Sequence, residues 1–323
     1  MYTLAPLALA LLATTLVAAD PQATPQAGST PTTLPSVAYG KPIKTDINPG
    51  QMITYPSVNT DVQAYYVTPK LAPTATPAPA DPNAAPPPAG DTPSTEAPKM
   101  PAIIYIHDIF GMTDFAKKQA DDLARQGYAV LMPNLYTRID NTAKGLSAQE
   151  AWIAYEKTAD PQVKQDLQAA IEFLNIEGKP TADQPLAVVG HDMGGIFAML
   201  LASSDLRVTA AVNYYGRIVY PNITPARPNS PVEDLFNLRA PILSFYGSND
   251  PQTPNEQIKA LESRLSNSPN HPYFEVVKLP GVGHGFMVPG RQGFNAQAAS
   301  SSEEKTRNFL ARYLRAEPKK AEE

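Results

Sequence analysis

The sequence predicts an α/β fold, with a mostly parallel central sheet flanked by helices on both faces and no large cap domain. Three observations carry that expectation. After Lys99, short apolar runs alternate with amphipathic segments, as in strands joined by crossover helices. The apolar run at 186–189 passes through Gly190-His191-Asp192-Met193-Gly194-Gly195 into a second apolar run at 196–202, so strand, tight turn and helix follow in direct succession. With 323 residues, 43% of them hydrophobic, the chain can bury a large core.

The elements can be justified in chain order. Residues 4–18 form an apolar stretch of signal-peptide length, too short for a membrane span, with small residues at Val17-Ala18-Ala19. Residues 1–19 are therefore expected to direct export to the periplasm or beyond. Met1-Tyr2-Thr3 carries no Lys or Arg, which leaves an uncleaved membrane anchor as the alternative. Residues 20–45, rich in Pro and Thr, read as a disordered tether. A second Pro-rich stretch at 71–99 reads as a disordered insertion between strand-like runs at 62–69 and 101–106. The residues before it, from Ile47, are too few to fold alone and must pair with the chain beyond residue 99. One domain is thus expected over 46–316, with a loose tail at 317–323.

Strands are expected at 102–106, 128–132, 186–189, 208–214, 242–246 and 274–279. Asp160-Pro161 marks a helix start, with Asp160 as N-cap, because Val163, Leu167, Ala170, Ile171 and Leu174 then share one face. Ser301 and Glu304 have capping-box spacing ahead of Phe309, Leu310, Tyr313 and Leu314.

Composition narrows the chemistry. The net charge of −5, without runs of one sign, argues against nucleic acid as a partner, and no membrane contact is expected beyond the N-terminal segment. There is no cysteine and there are four histidines without an H-E-x-x-H pair, so neither a thiol nucleophile nor a metal site is expected. No cofactor is expected, and the partner is a small-molecule substrate. The sequence does not define an oligomeric state.

The segment Gly190–Gly194 reads as a nucleophile elbow with Asp192 where G-x-S-x-G carries serine. The glycines are required because the turn is strained and helix packs closely on strand. Gly247-Ser248-Asn249-Asp250 follows the strand at 242–246, and Gly283-His284-Gly285-Phe286 follows the last strand. That gives the chain order nucleophile, acid, histidine, all just past strand C-termini, where an open parallel sheet gathers ligands. The amides of Ile109 and Met193 are the candidate oxyanion donors. Asp108, Trp152, Tyr155 and Tyr215 are candidate pocket residues. The bland alternatives are a helix cap for Asp108, which could instead contact Asp192, core packing for the aromatics, a turn role for Asp250 and structural roles for His107 and His191.

Taken together, PAIIYIHDIFGMTDFAKKQADDLARQGYAVLMPNLY, GHDMGG, NYYG, GSNDPQTP and GVGHGF resemble the dienelactone hydrolase family over about residues 50–314. The resemblance implies a single-domain α/β-hydrolase fold, a site at Asp192, Asp250 and His284, and small esters or lactones as substrates. It also marks departures. The nucleophile position carries Asp192 instead of Cys or Ser, and Asp108 replaces a Glu. Val288 replaces an arginine that holds the dienelactone carboxylate, and no arginine lies in the helical segment around 149–155. Dienelactone itself is therefore not expected as substrate.

An ionised carboxylate needs no base to attack. Its attack on an ester carbonyl gives an unfavourable anhydride, whereas attack on saturated carbon gives a stable ester. The leading expectation is an aspartyl-ester intermediate, formed by cleaving a carbon–halogen or carbon–oxygen bond and hydrolysed by water that His284 activates. The alternatives are an ester or lactone hydrolase with Asp192 or His284 as general base to water, and a non-catalytic exported binding protein on a hydrolase fold.

Overall fold

A computed structural model describes residues 43–70, 98–139, 144–268 and 273–315. The expected signal segment, most of the tether, nearly all of the insertion and the C-terminal tail lie outside the described residues. Eight strands form one sheet in the order β1-β2-β4-β3-β5-β6-β7-β8. They are β1 Gln51–Ser57, β2 Thr60–Val67, β3 Ala102–Ile106, β4 Ala129–Pro133, β5 Leu186–His191, β6 Val208–Tyr214, β7 Ile242–Gly247 and β8 Phe274–Leu279. β1 and β2 pair antiparallel, β2 pairs antiparallel with β4, and every other pairing is parallel. The segment that cannot fold alone thus supplies an edge hairpin.

β3 and β5 are buried on both faces, as expected of central parallel strands. Side chains alternate between faces at period 2, and the core divides accordingly. Ile104, Ile106 and Val188 pack on one side with Leu167, Ile171, Leu200 and Ile258. Ile103, Tyr105 and Val189 pack on the other with Ala120, Leu123, Phe309 and Leu310. The first side is covered by α2 Ala148–Lys157, α3 Asp160–Leu174, α4 Met193–Ser204 and α6 Asn255–Ser266, the second by α1 Asp114–Ala124 and α7 Ala296–Leu314. Between β6 and β7 the structure holds only a four-residue helix, α5 Pro231–Asp234, and one 3-10 turn. That interval builds no cap domain.

Two helix starts differ from expectation. α7 begins five residues before Ser301, capped by Asn295, whose side chain accepts from Ala298 N; Ser301 lies inside the helix and turns its hydroxyl back to Ala298 O. Nothing between Asn295 and Ser301 breaks a helix, so the earlier cap wins. Ala159, not Asp160, is the N-cap of α3, which frees the Asp160 carboxylate to accept a hydrogen bond from the Tyr220 hydroxyl at 2.8 Å.

Candidate active site

β5 runs into α4 through a turn whose only non-helical, non-strand residue is Asp192, held at φ 53°, ψ −115°. A left-handed backbone at a non-glycine residue costs about 1–3 kcal/mol and persists only where its surroundings enforce it. Here the enforcement is steric. A Cβ on Gly190 would lie 1.9 Å from Gly194 O, and a Cβ on Gly194 would lie 2.1 Å from Ile106 O. Neither glycine can carry a side chain while β5, α4 and β3 keep this approach. The turn therefore lifts the Asp192 side chain above the sheet's C-terminal edge.

His284 lies between two carboxylates. Its Nδ1 is 2.8 Å from Asp250 Oδ2 and its Nε2 is 3.1 Å from Asp192 Oδ1. Asp250 is fully buried, and its other oxygen accepts from Gln252 N at 2.8 Å. The second Asp192 oxygen faces the Ile109 amide at 3.5 Å. Burial works to raise the Asp192 pKa, but the hydrogen bond and charge of His284, with the amides of Ile109 and Met193, hold it below the usual carboxylate value. Burial works to lower the pKa of His284, and the two aspartates overcome it, pushing the imidazole up to about 9. The imidazole thus has a carboxylate on each ring nitrogen, an arrangement that favours its protonated form. Tyr215, itself at φ 46°, sets its ring edge-on to the imidazole with centroids 5.0 Å apart.

The loop after β3 is pinned from three sides. His107 Nδ1 donates to Asp108 O at 2.7 Å while its Nε2 accepts from Leu135 N at 3.1 Å, an assignment of tautomer forced by the amide donor. Burial lowers this imidazole to about 4, so it stays neutral. The Tyr136 hydroxyl donates to Ile109 O at 2.8 Å, which fixes the peptide whose neighbour carries the amide aimed at Asp192. Asp108 accepts from Phe110 N at 2.9 Å and from Arg291 Nη1 at 2.6 Å.

Above Asp192 opens a pocket of about 470 Å³, lined by Ile109, Trp152, Tyr155, Met193, Tyr215 and His284 among others, a size suited to a small molecule. Asp108 is a correction: it does not line the pocket, and it does not cap α1, which Thr113 caps. It lies behind the wall and holds Arg291, whose guanidinium covers the Phe110 ring at 3.8 Å and does line the pocket. His191 is buried among Tyr105, Phe115, Tyr214 and Tyr215, and burial lowers its pKa to about 3. It faces away from the reacting groups.

Sequence reasoning missed the pocket's cations. Arg217, Arg227 and Arg291 all line it, although the two positions at which the resemblance implies arginine lack one. A signal existed: all three lie on loops that follow strand C-termini, where any cation is a pocket candidate.

The model of the dienelactone hydrolase family matches residues 91–314. The chain belongs to the dienelactone hydrolase family. Among curated relatives, a Bradyrhizobium protein named as a 2-oxo-3-(5-oxofuran-2-ylidene)propanoate lactonase is 27% identical over 67% of this chain and 85% of its own length. A Yersinia pestis protein named as a carboxymethylenebutenolidase is 31% identical over 62% of this chain and 73% of its own. Among solved structures, a Klebsiella pneumoniae protein named as a dienelactone hydrolase superposes with a TM-score of 0.66 at 22% identity, over 83% of this chain and 99% of its own. As a member of the dienelactone hydrolase family the protein is a hydrolase with the α/β-hydrolase fold. Among the described residues no group of His, Asp and Glu is arranged to hold a metal.

Proposed function

We propose that this hydrolase works through a covalent aspartyl ester. The observation that carries the reading is the split environment of one carboxylate: Asp192 Oδ1 lies on the His284 imidazole and Oδ2 faces the Ile109 amide. A carboxylate so held is ionised and oriented before substrate arrives, and needs no base. In the first step an Asp192 oxygen attacks a saturated carbon. The new carbon–oxygen bond replaces a carbon–halogen or carbon–oxygen bond, and the bonding pair leaves with the displaced group.

Alkylation removes the Asp192 charge, one of the causes that keep His284 protonated. The imidazole then gives its proton to solvent and becomes a base, oriented by Asp250 through Nδ1. It takes a proton from water as that water attacks the Asp192 carbonyl carbon. The negative oxygen of the tetrahedral intermediate is held by the Ile109 and Met193 amides. Collapse breaks the bond between the carbonyl carbon and the alkyl oxygen, and the departing alkoxide takes the proton left on the new Asp192 carboxyl group, so the product leaves as an alcohol. The resting imidazolium and carboxylate are restored.

The name of the Bradyrhizobium relative, a lactonase, favours a second reading, in which water attacks a lactone carbonyl with Asp192 or His284 as general base. The resting electrostatics favour the first. An imidazolium has no lone pair to accept a proton, and a carboxylate with a depressed pKa is a weak base. Two measurements test the choice. His284→Gln should trap the adduct, so its intact mass should rise by the alkyl group after incubation with a substrate of the wild type. In a single turnover in heavy-oxygen water the first product should carry unlabelled oxygen from Asp192. No adduct, together with solvent label in that product, would overturn the covalent route.

A further inference from the structure

The pocket lining carries two arginines whose charge no carboxylate among the described residues takes up at close range. Arg227 is buried, with 8% of its surface exposed. Its Nη2 donates to Tyr155 O at 2.6 Å, its Nε to the Tyr155 hydroxyl at 3.2 Å, and its guanidinium covers the Tyr155 ring at 4.0 Å. Every one of these partners is neutral. Asp160 feels the charge of Arg227, but that carboxylate is turned to the Tyr220 hydroxyl and lies beyond ion-pair distance. Arg217, half-buried, donates to the amide oxygen of Gln252 at 2.8 Å and forms no ion pair among the described residues. Glu156, the remaining acid in the lining, is exposed at the mouth. Arg291 differs from both because Asp108 already neutralises it.

Burying a guanidinium without an anion is unfavourable, since a buried charge needs a partner to replace lost water. Arg227 and Arg217 nonetheless converge on the same pocket as Asp192 and His284. We propose that Arg227, assisted by Arg217, holds a carboxylate of the substrate, so that this enzyme acts on short carboxylic acids carrying a displaceable group on saturated carbon. The substrate class rests on the reading of Asp192 as nucleophile, whereas the anion site does not. Neither arginine stands where the family resemblance implies one: Val288 is buried in the core, and Arg227 approaches Tyr155 from the loop between β6 and α5. A single negative charge suits the site better than two, because the pocket also holds the Asp192 carboxylate.

The chain's only tryptophan, Trp152, lines this pocket with its ring 5.8 Å from that of Tyr155, so its fluorescence reports occupancy. The full chain is titrated with butyrate, butyramide and methyl phosphate. Butyrate should bind at least about 10-fold more tightly than butyramide, as a charge-assisted pair requires. Arg227→Gln should remove that preference, Arg227→Lys should restore part of it, and butyramide affinity should not change. Because Arg227 also packs on Tyr155, Arg217→Gln serves as a second variant with the same expected direction and a smaller effect.

Equal affinity of the wild type for butyrate and butyramide would overturn the proposal, as would equal weakening of both ligands in the variants. Tighter binding of methyl phosphate than of butyrate would overturn the assignment to carboxylate. A butyrate preference that persists while no aspartyl adduct is found sinks the nucleophile reading and leaves the anion site standing.

Discussion

At the end of the sheet that carries the pocket, left-handed backbone falls not only on glycines such as Gly111 and Gly285 but also on Asp192 and on the bulky Tyr215, which both line the pocket. At the opposite end it falls on Gly127, Gly178 and Asp183 in the turns that lead into β4 and β5, residue types that accept it more readily than tyrosine does. The charges divide in the same way. Asp250 and Arg227 are buried around the pocket and His284 is half-buried, with no carboxylate within ion-pair distance of Arg227 among the described residues, whereas at the far end Arg207 holds both the buried Asp205 and the exposed Glu172. One sheet therefore carries strained backbone on a bulky residue and a buried cation without an ion-pair partner at one end, and a paired charge cluster at the other, the pattern expected when a rigid scaffold pre-organises a site at its strand ends.

The sharpest break of this comparison is chemical. Asp192→Asn should lower turnover by about 10³-fold or more, since residues acting as one unit fail together, and His284→Gln should do the same after its first covalent step. Steady-state rates on any substrate of the wild type check this. Comparable rates in either variant would mean that the buried charges at this end are not catalytic.

The next effects concern stability. Gly194→Ala places a methyl against the backbone of β3, where no side chain can yield, and should destabilise by about 3 kcal/mol or more. At the other end Gly178→Ala meets open space and suffers only from its φ of 84°, at about 1–2 kcal/mol. Denaturant midpoints of the two variants measure the contrast directly. Similar losses would show that steric enforcement is not peculiar to the elbow.

Proton linkage gives a third contrast. The pKa of His284 is raised from 6.5 to about 9 in the folded protein. Its stabilising contribution is therefore complete below pH 6.5 and is lost as pH rises through about 9. The sum is on the order of 3 kcal/mol at most. Wild-type unfolding free energy should fall across that window, and His284→Gln should flatten the slope. An unchanged slope in the variant would place the titrating group elsewhere.

The same two ends explain what could be read from the residues alone. Strands β3 to β8 were legible because each is a short apolar run bounded by turns, and Asp192, Asp250 and His284 stood out because glycine-rich turns after strands are rare and ordered. Arg217 and Arg227 were legible only as candidates, by their place after a strand end, because a loop has no periodicity to say which way its side chains point. Asp108 was misplaced for a related reason: its partner, Arg291, is 183 residues away, and only the folded chain brings them together. The start of α7 was misjudged because Ala296 to Ser301 permits a helix without announcing one.

The smallest expected effect is at the far end. β2 runs against β4, with Ala64 opposite Pro133 and Val67 opposite Val130, so the chain leaves the described residues at Lys70, beside the N-terminal ends of β3 and β4. It returns at Pro98, and Met100 N donates to Pro180 O in the turn before β5. Asp192, Asp250 and His284 all follow the opposite ends of their strands. Replacing residues 71–99 by a short loop should therefore leave kcat/KM within about twofold, as expected for a change remote from the pocket and from its supporting contacts. Lost activity at an unchanged denaturation midpoint would mean that this segment acts on the pocket, and that the two ends of the sheet are not functionally separate.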